Sequence, residues 1–191
     1  MIENQKKYAI VAVDTIQDYF TDPQMQEKRK SLTDNINQLC VTARENDVPV
    51  IWARQEFRSD MSDAYTGLRA SQTKLTVENT PGSQLLPELV VGENDTDLVK
   101  KRFSAFFKTE LNDILAEKSI TSLIVLGVKT HACIRATVID SYQNDYETII
   151  AGDCIGDTDA EHADTSLKYL SKYIAVVLSN PEILKLLTRE K

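Results

Sequence analysis

Long apolar runs are missing from this sequence, as are runs of basic residues and closely spaced cysteines. A membrane-spanning helix needs about 20 consecutive apolar residues. The N-terminal stretch MIENQKKYAIVAVD holds only the short run Tyr8 to Asp14, which ends in a charge. A secretory signal needs a longer apolar core and a small-residue cleavage site, so none is expected. The net charge is −7 with no basic run to offset it locally, which argues against nucleic acid or an anionic membrane as partner. Cys40, Cys133 and Cys154 are odd in number and far apart. That spacing does not suggest a disulfide framework, and a reducing cytoplasm is the simplest location.

What is present fits a globular chain. The 191 residues suit one domain, 1–191, that buries roughly 70% of its unfolded surface. Apolar residues at 42% and charged residues at 27% are near the globular average, so disorder is not expected. Short apolar runs at Tyr8–Val13, Val48–Ala53, Ser122–Leu126, Glu147–Ala151 and Tyr173–Leu178 read as strands, with Asp97–Lys100 a weaker sixth. Their continuous hydrophobicity predicts burial on both faces, as in a parallel sheet. Helical spacing recurs between them. Ser31–Glu45 places Leu32, Ile36, Leu39, Cys40 and Ala43 on one face, and Glu110–Lys118 places Leu111, Ile114 and Leu115. Thr130–Asn144 carries Cys133, Ile134, Val138 and Tyr142, Asp159–Lys172 carries Ala163, Ser166, Leu167 and Leu170, and Pro181–Leu187 forms a short terminal helix. The order predicts an α/β fold of three layers, helices on both sides of a mainly parallel six-stranded sheet, with right-handed crossovers. Residues 56–91 have few regular signals and form an irregular insertion suited to a lid or binding loop.

Open parallel sheets bind ligands beyond the carboxyl ends of their strands. The residues there are Asp14 and Gln17, Arg54, Lys100 and Arg102, Lys129 to Cys133, and Asp153. Three of them form a chemical set. Cys133 falls one turn into a helix if Thr130 caps it, where free amides and the helix dipole favour a thiolate; the alternative is an inert core thiol. Asp14 ends an uncharged strand, placed either to cap a loop or to take a proton from a thiol. Lys100 lies in the basic cluster of VKKRFSAFFKTEL, on the surface or turned inward to balance a carboxylate and a thiolate. Cys40 and Cys154 read as structural.

The segments DTIQDYF (14–20), KKRFSAFFKTEL (100–111) and GVKTHACIRATVIDSY (127–142), with the looser TPGSQLLPEL (80–89), resemble the signature blocks of the isochorismatase-like cysteine hydrolase family. That family includes nicotinamidases, N-carbamoylsarcosine amidases, ureidoacrylate and biuret hydrolases and streptothricin hydrolases. The resemblance covers most of the chain. It implies a Rossmann-like fold and a catalytic triad of Asp14, Lys100 and Cys133, with Lys100 chosen over Lys101 by the motif's register. It further implies a cis peptide at Val128–Lys129 and an oxyanion hole from the backbone N–H groups of Lys129 and Cys133. The implied reaction is amide or ureide hydrolysis of a small molecule through a Cys133 thioester.

Nicotinamidases of the family bind a metal through an aspartate and two histidines after the second strand. Here residues 54–63 contain no histidine, and the chain's two, His131 and His162, lie elsewhere. A lone Asp60 or Asp63 makes a poor zinc site, so no metal and no other cofactor are expected. Gln17 matches a polar position of the family's DxxxxF block, which implies that it orients Asp14 or the substrate. Arg54 either pairs with a substrate carboxylate or belongs to a surface salt bridge. The alternatives to an amidohydrolase are a vinyl-ether hydrolase of the isochorismatase type, which needs no thiol, a non-catalytic binding or scaffold member, and a redox-sensing thiol. The family resemblance also implies a homo-oligomer, dimer or tetramer, with 56–91 as the candidate contact.

Overall fold

The computed structural model describes residues 6–188. Strands β1 (Tyr8–Val13), β2 (Val50–Gln55), β3 (Thr96–Lys100), β4 (Ser122–Val128), β5 (Glu147–Gly156) and β6 (Val176–Leu178) form one sheet in the order β3-β2-β1-β4-β5-β6. Every neighbouring pair is parallel. The helices are α1 (Pro23–Glu45), α2 (Thr66–Ser71), α3 (Leu111–Glu117), α4 (Arg135–Gln143), α5 (Ala160–Tyr173) and α6 (Asn180–Thr188).

β1 and β4 are buried along their whole length, because the crossovers of a parallel sheet lay helices on both faces. Alternate side chains of β1 therefore enter different cores. Ile10 and Ala12 join Leu32, Ile36 and Leu39 of α1 and Ile183 of α6. Ala9, Val11 and Val13 join Leu111 and Leu115 of α3, Val138 of α4 and Leu170 of α5. Among the described residues no helix is long and apolar enough to cross a membrane.

Several boundaries differ from the sequence expectation. α1 starts at Pro23 rather than Ser31, since the Asp22 carboxylate accepts the Gln24 N–H at 2.9 Å and Pro23 fills the first turn, a favourable start for a helix. β5 runs on to Gly156, and β6 begins only at Val176 because α5 continues to Tyr173. Tyr142 is 54% exposed, off the apolar face assigned to it. Asp153 lies within β5, not beyond its end, and accepts the Asn180 N–H at the start of α6 at 2.7 Å. Cys40 and Cys154 are buried in the α1-side core, Cys154 with its Sγ donating to Asn180 Oδ1 at 3.1 Å.

The 56–91 segment is more ordered than its composition suggests. It contains α2, a small core of Phe57, Met61 and Ala64, and single bridges from Phe57 to Val77 and from Ile16 to Leu85. The Gln17 N–H donates to Gln84 O and the Leu86 N–H to Thr15 O, both at 3.0 Å. These bonds fold the segment over the carboxyl ends of β1 and β2. Strand order reverses between β1 and β4, and such a switch point opens the crevice where parallel sheets bind ligands.

Candidate active site

β1 ends in Asp14, a fully buried residue with φ of 54°. A left-handed backbone costs a residue with a Cβ roughly 1–2 kcal/mol. It turns the carboxylate back across the sheet: Oδ1 accepts the Gln55 N–H at 2.7 Å, and Oδ2 accepts from Lys100 Nζ at 2.6 Å. Lys100 ends β3, is also fully buried, and gives a second bond to Arg102 O at 3.0 Å. Its neighbour Lys101 points the other way, to Asp63 at 3.1 Å. The side-chain alternation of a strand thus turns one lysine in and the next out.

Cys133 reaches the same spot from the far side of β1. After β4 the chain passes the cis peptide Val128–Lys129 and enters a π-helical turn, Thr130–Ile134. Gly127, with φ of +116°, makes the approach possible. A Cβ there would lie 2.0 Å from Val13 O, so only glycine lets β4 pass this close to the end of β1. The turn is anchored from β5's far end, where Asp157 Oδ2 accepts the His131 N–H at 2.9 Å and pairs with its Nδ1 at 2.7 Å. Lys129 Nζ donates to Thr158 Oγ1 at 2.8 Å, leaving that residue's backbone to face the thiol.

The electrostatics correct one expectation. Burial pushes the Cys133 thiol well above its usual range, and the Asp14 carboxylate pushes it further; Lys100 and the Lys129 N–H pull the other way without prevailing. The helix start does not leave a free thiolate, because Cys133 is only 4% exposed and faces a negative charge. Lys100 is drawn down by burial but held above its usual value chiefly by the Asp14 carboxylate it bonds. The Asp14–Lys100 ion pair thus lies beside a thiol whose ionisation burial opposes.

The other sequence candidates fall differently. Arg54 Nε and Nη2 bind both oxygens of Asp97 at 2.7 and 2.9 Å, and Nη1 binds Glu56 at 2.6 Å. This is the salt bridge of the two options, and the guanidinium has little left for a substrate. Gln17 turns its amide to Leu85 O at 3.5 Å. The bond that orients Asp14 comes from the Gln55 backbone, one residue beyond Arg54. Gln55 is part of a polar chain the sequence did not reveal: Tyr19 Oη donates to its Oε1, and its Nε2 donates to Tyr65 Oη at 3.0 Å. Its place at the end of β2 was the available signal, hidden because the apolar run stops at Ala53.

The metal site of the nicotinamidases has no counterpart in these donors. Asp60 folds back on the Ser62 N–H and Asp63 on the Arg58 N–H and Lys101. His131 and His162 are each paired with an aspartate, Asp157 and Asp159. Among the described residues no three potential metal-binding side chains converge. A cavity of about 830 Å³, lined by Tyr8, Arg44, Val50 and Asp95, lies at the opposite, amino ends of the strands, away from the cluster.

The fold and the position of the cluster at its switch point define a hydrolase of isochorismatase-like architecture. The chain belongs to the isochorismatase family: the Isochorismatase domain matches residues 8–182. It is 30% identical over 156 residues to a "Probable inactive nicotinamidase" of Arabidopsis thaliana, covering 78% of this chain and 80% of that one. It is 29% identical over 182 residues to the "Phenazine biosynthesis protein PhzD" of Pseudomonas fluorescens, covering 92% and 84%. An isochorismatase family protein of Desulfovibrio vulgaris superposes with a TM-score of 0.86 at 26% identity, over 96% of this chain and 100% of that one.

Proposed function

We propose that the protein is a cysteine amidohydrolase that cleaves a C–N bond, amide or ureido, of a small molecule without a metal. The observation that carries this is the fully buried Asp14–Lys100 ion pair set against the thiol of Cys133. Burying two charges costs several kcal/mol each unless they are paired, and here they are paired beside the chain's one thiol at a strand-end crevice.

In this reading Asp14 takes the proton of the Cys133 thiol as the substrate displaces water, with Lys100 balancing the charge. The thiolate attacks the carbonyl carbon, and the resulting oxyanion is held by the backbone N–H groups of Lys129 and Cys133, each such donor contributing about 2.7–4 kcal/mol in enzymes where it has been removed. The C–N bond breaks, the amine leaves with the proton from Asp14, and a thioester remains. Asp14 then deprotonates a water that attacks the thioester, and the released Cys133 thiolate regains its proton.

The test is ammonia release from a panel of primary amides and ureides, with the acyl-enzyme sought by mass spectrometry. Turnover is expected to disappear in Cys133→Ala and in Asp14→Asn. Turnover that survives Cys133→Ala would sink the covalent mechanism. The second reading, vinyl-ether hydrolysis by Asp14 and Lys100 alone, is favoured instead if no amide or ureide is turned over while a vinyl ether is cleaved equally by wild type and Cys133→Ala; the likeness to a "Probable isochorismatase" of Pseudomonas chlororaphis lends it weight.

A further inference from the structure

The hydrogen-bond chain Tyr19–Gln55–Tyr65 has a direction. Tyr19 Oη donates to Gln55 Oε1, and Gln55 Nε2 donates to Tyr65 Oη at 3.0 Å. A phenol has one proton to give. The Tyr65 oxygen receives from Gln55, and its own O–H has no acceptor among the described residues. Gln55 is completely buried and is tied to the site at its other end, because its backbone N–H holds Asp14 at 2.7 Å. The Tyr65 ring is clamped by Phe57 at 5.7 Å, by Phe103 at 5.1 Å and by the Arg102 guanidinium at 5.2 Å. The phenol lies within electrostatic reach of the site, and burial together with the Asp14 carboxylate keeps it un-ionised, hence a donor.

We infer that Tyr65 is a specificity-determining residue: its O–H, aimed by Gln55 and Tyr19, donates a hydrogen bond to an acceptor atom of the substrate other than the scissile carbonyl. The scissile oxygen belongs to the Lys129 and Cys133 amides, so the acceptor must be a second one. The substrate class is thereby narrowed to small amides or ureides carrying a carbonyl, ether or ring nitrogen a few bonds from the reacting carbon. A substrate without that atom leaves a half-buried donor unpaired, and sites built to hydrogen-bond reject such analogues. This inference rests on the amidohydrolase reading, and its test is built to stand apart from it.

Two matched pairs serve as probes: nicotinamide against benzamide, and acetoacetamide against butanamide. In each, the first member has the extra acceptor. Ammonia release is measured in the wild type and Tyr65→Phe. Binding is measured by titration calorimetry in Cys133→Ala and in Cys133→Ala combined with Tyr65→Phe. The acceptor-bearing member is expected to be preferred about tenfold, and Tyr65→Phe should bring that ratio to within about twofold of one. Tyr19→Phe frees the Gln55 carbonyl to accept from Tyr65, so it should lower the ratio as well. A ratio near one in the parent proteins, in both assays, overturns the inference. So does a ratio that survives Tyr65→Phe, or a loss that falls equally on both members. If no amide is turned over, the amidohydrolase reading falls, and the binding ratio still decides the role of Tyr65.

Discussion

Cys133 sits between a carboxylate that raises its pKa and an ammonium that lowers it, and the balance governs how it reacts. With the pKa raised, the thiol is protonated at neutral pH. Its alkylation by iodoacetamide should be slow at pH 7–8 and still rising past pH 9. A rate that plateaus below pH 8 would contradict this. Asp14→Asn removes the opposing negative charge, so the profile should move to lower pH even as hydrolysis is lost. Lys100→Met leaves Asp14 buried without its partner, which typically costs about 3–5 kcal/mol. Urea unfolding of that variant against wild type measures it.

At the scale of elements, the cluster depends on how closely β4 and its following turn approach the end of β1. Gly127→Ala would drive a Cβ into Val13 O at a φ of +116°, combining overpacking with a conformation that L residues avoid. A loss of about 3 kcal/mol or more is expected by chemical denaturation, with Cys133 becoming more accessible to alkylation. Asp157 performs a different service. Its Oδ2 accepts from His131, while Oδ1 accepts the N–H groups of Thr158 and Asp159 at 2.8 and 3.1 Å. Asp157→Ala leaves those partly buried donors without their acceptor, a cost of about 1 kcal/mol or more. Because the turn carrying Cys133 hangs from it, the proposed reaction should lose more in kcat than KM rises.

Across the whole molecule, pH stability follows from groups far from the crevice. Asp95 gathers Arg44 of α1, the Trp52 indole of β2 and the Gly92 N–H. Burial alone would raise its pKa, but these donors hold it below 3.8. Its contribution is therefore fully present above pH 3.8 and is lost as pH falls through the lower native value. Asp95→Asn should cost about 1–3 kcal/mol at neutral pH, and the difference from wild type should shrink below pH 3.8. At the alkaline end, burial pushes the Cys40 thiol up to about 12 from 9.0. A native pKa above the unfolded one makes stability fall as pH rises between those values. Thermal unfolding followed from pH 8 to 11 should show that decline, and Cys40→Ala should make it less steep without removing it, because the buried Cys133 and Cys154 thiols are raised as well.

Much of the architecture was legible because it rests on local regularities. Continuous apolar runs mark strands buried on two faces, and the 3.6-residue spacing in α1 marks the face that meets them. Strand-end logic brought Asp14, Lys100 and Cys133 to notice, since a parallel sheet places its loops at one edge. What stayed hidden depends on contacts between distant parts of the chain. Arg54 could have faced a substrate until Asp97 and Glu56 were seen to hold it. The state of Cys133 could not be read from its helix position, because burial and the neighbouring Asp14 carboxylate also act on the thiol. The Tyr19–Gln55–Tyr65 chain joins residues from three segments that carry no shared motif. The sequence by itself determined which side chains can do chemistry and on which edge of the sheet they lie. Only the tertiary structure decided which of them are desolvated together, and desolvation is what turns a set of ionisable residues into a site.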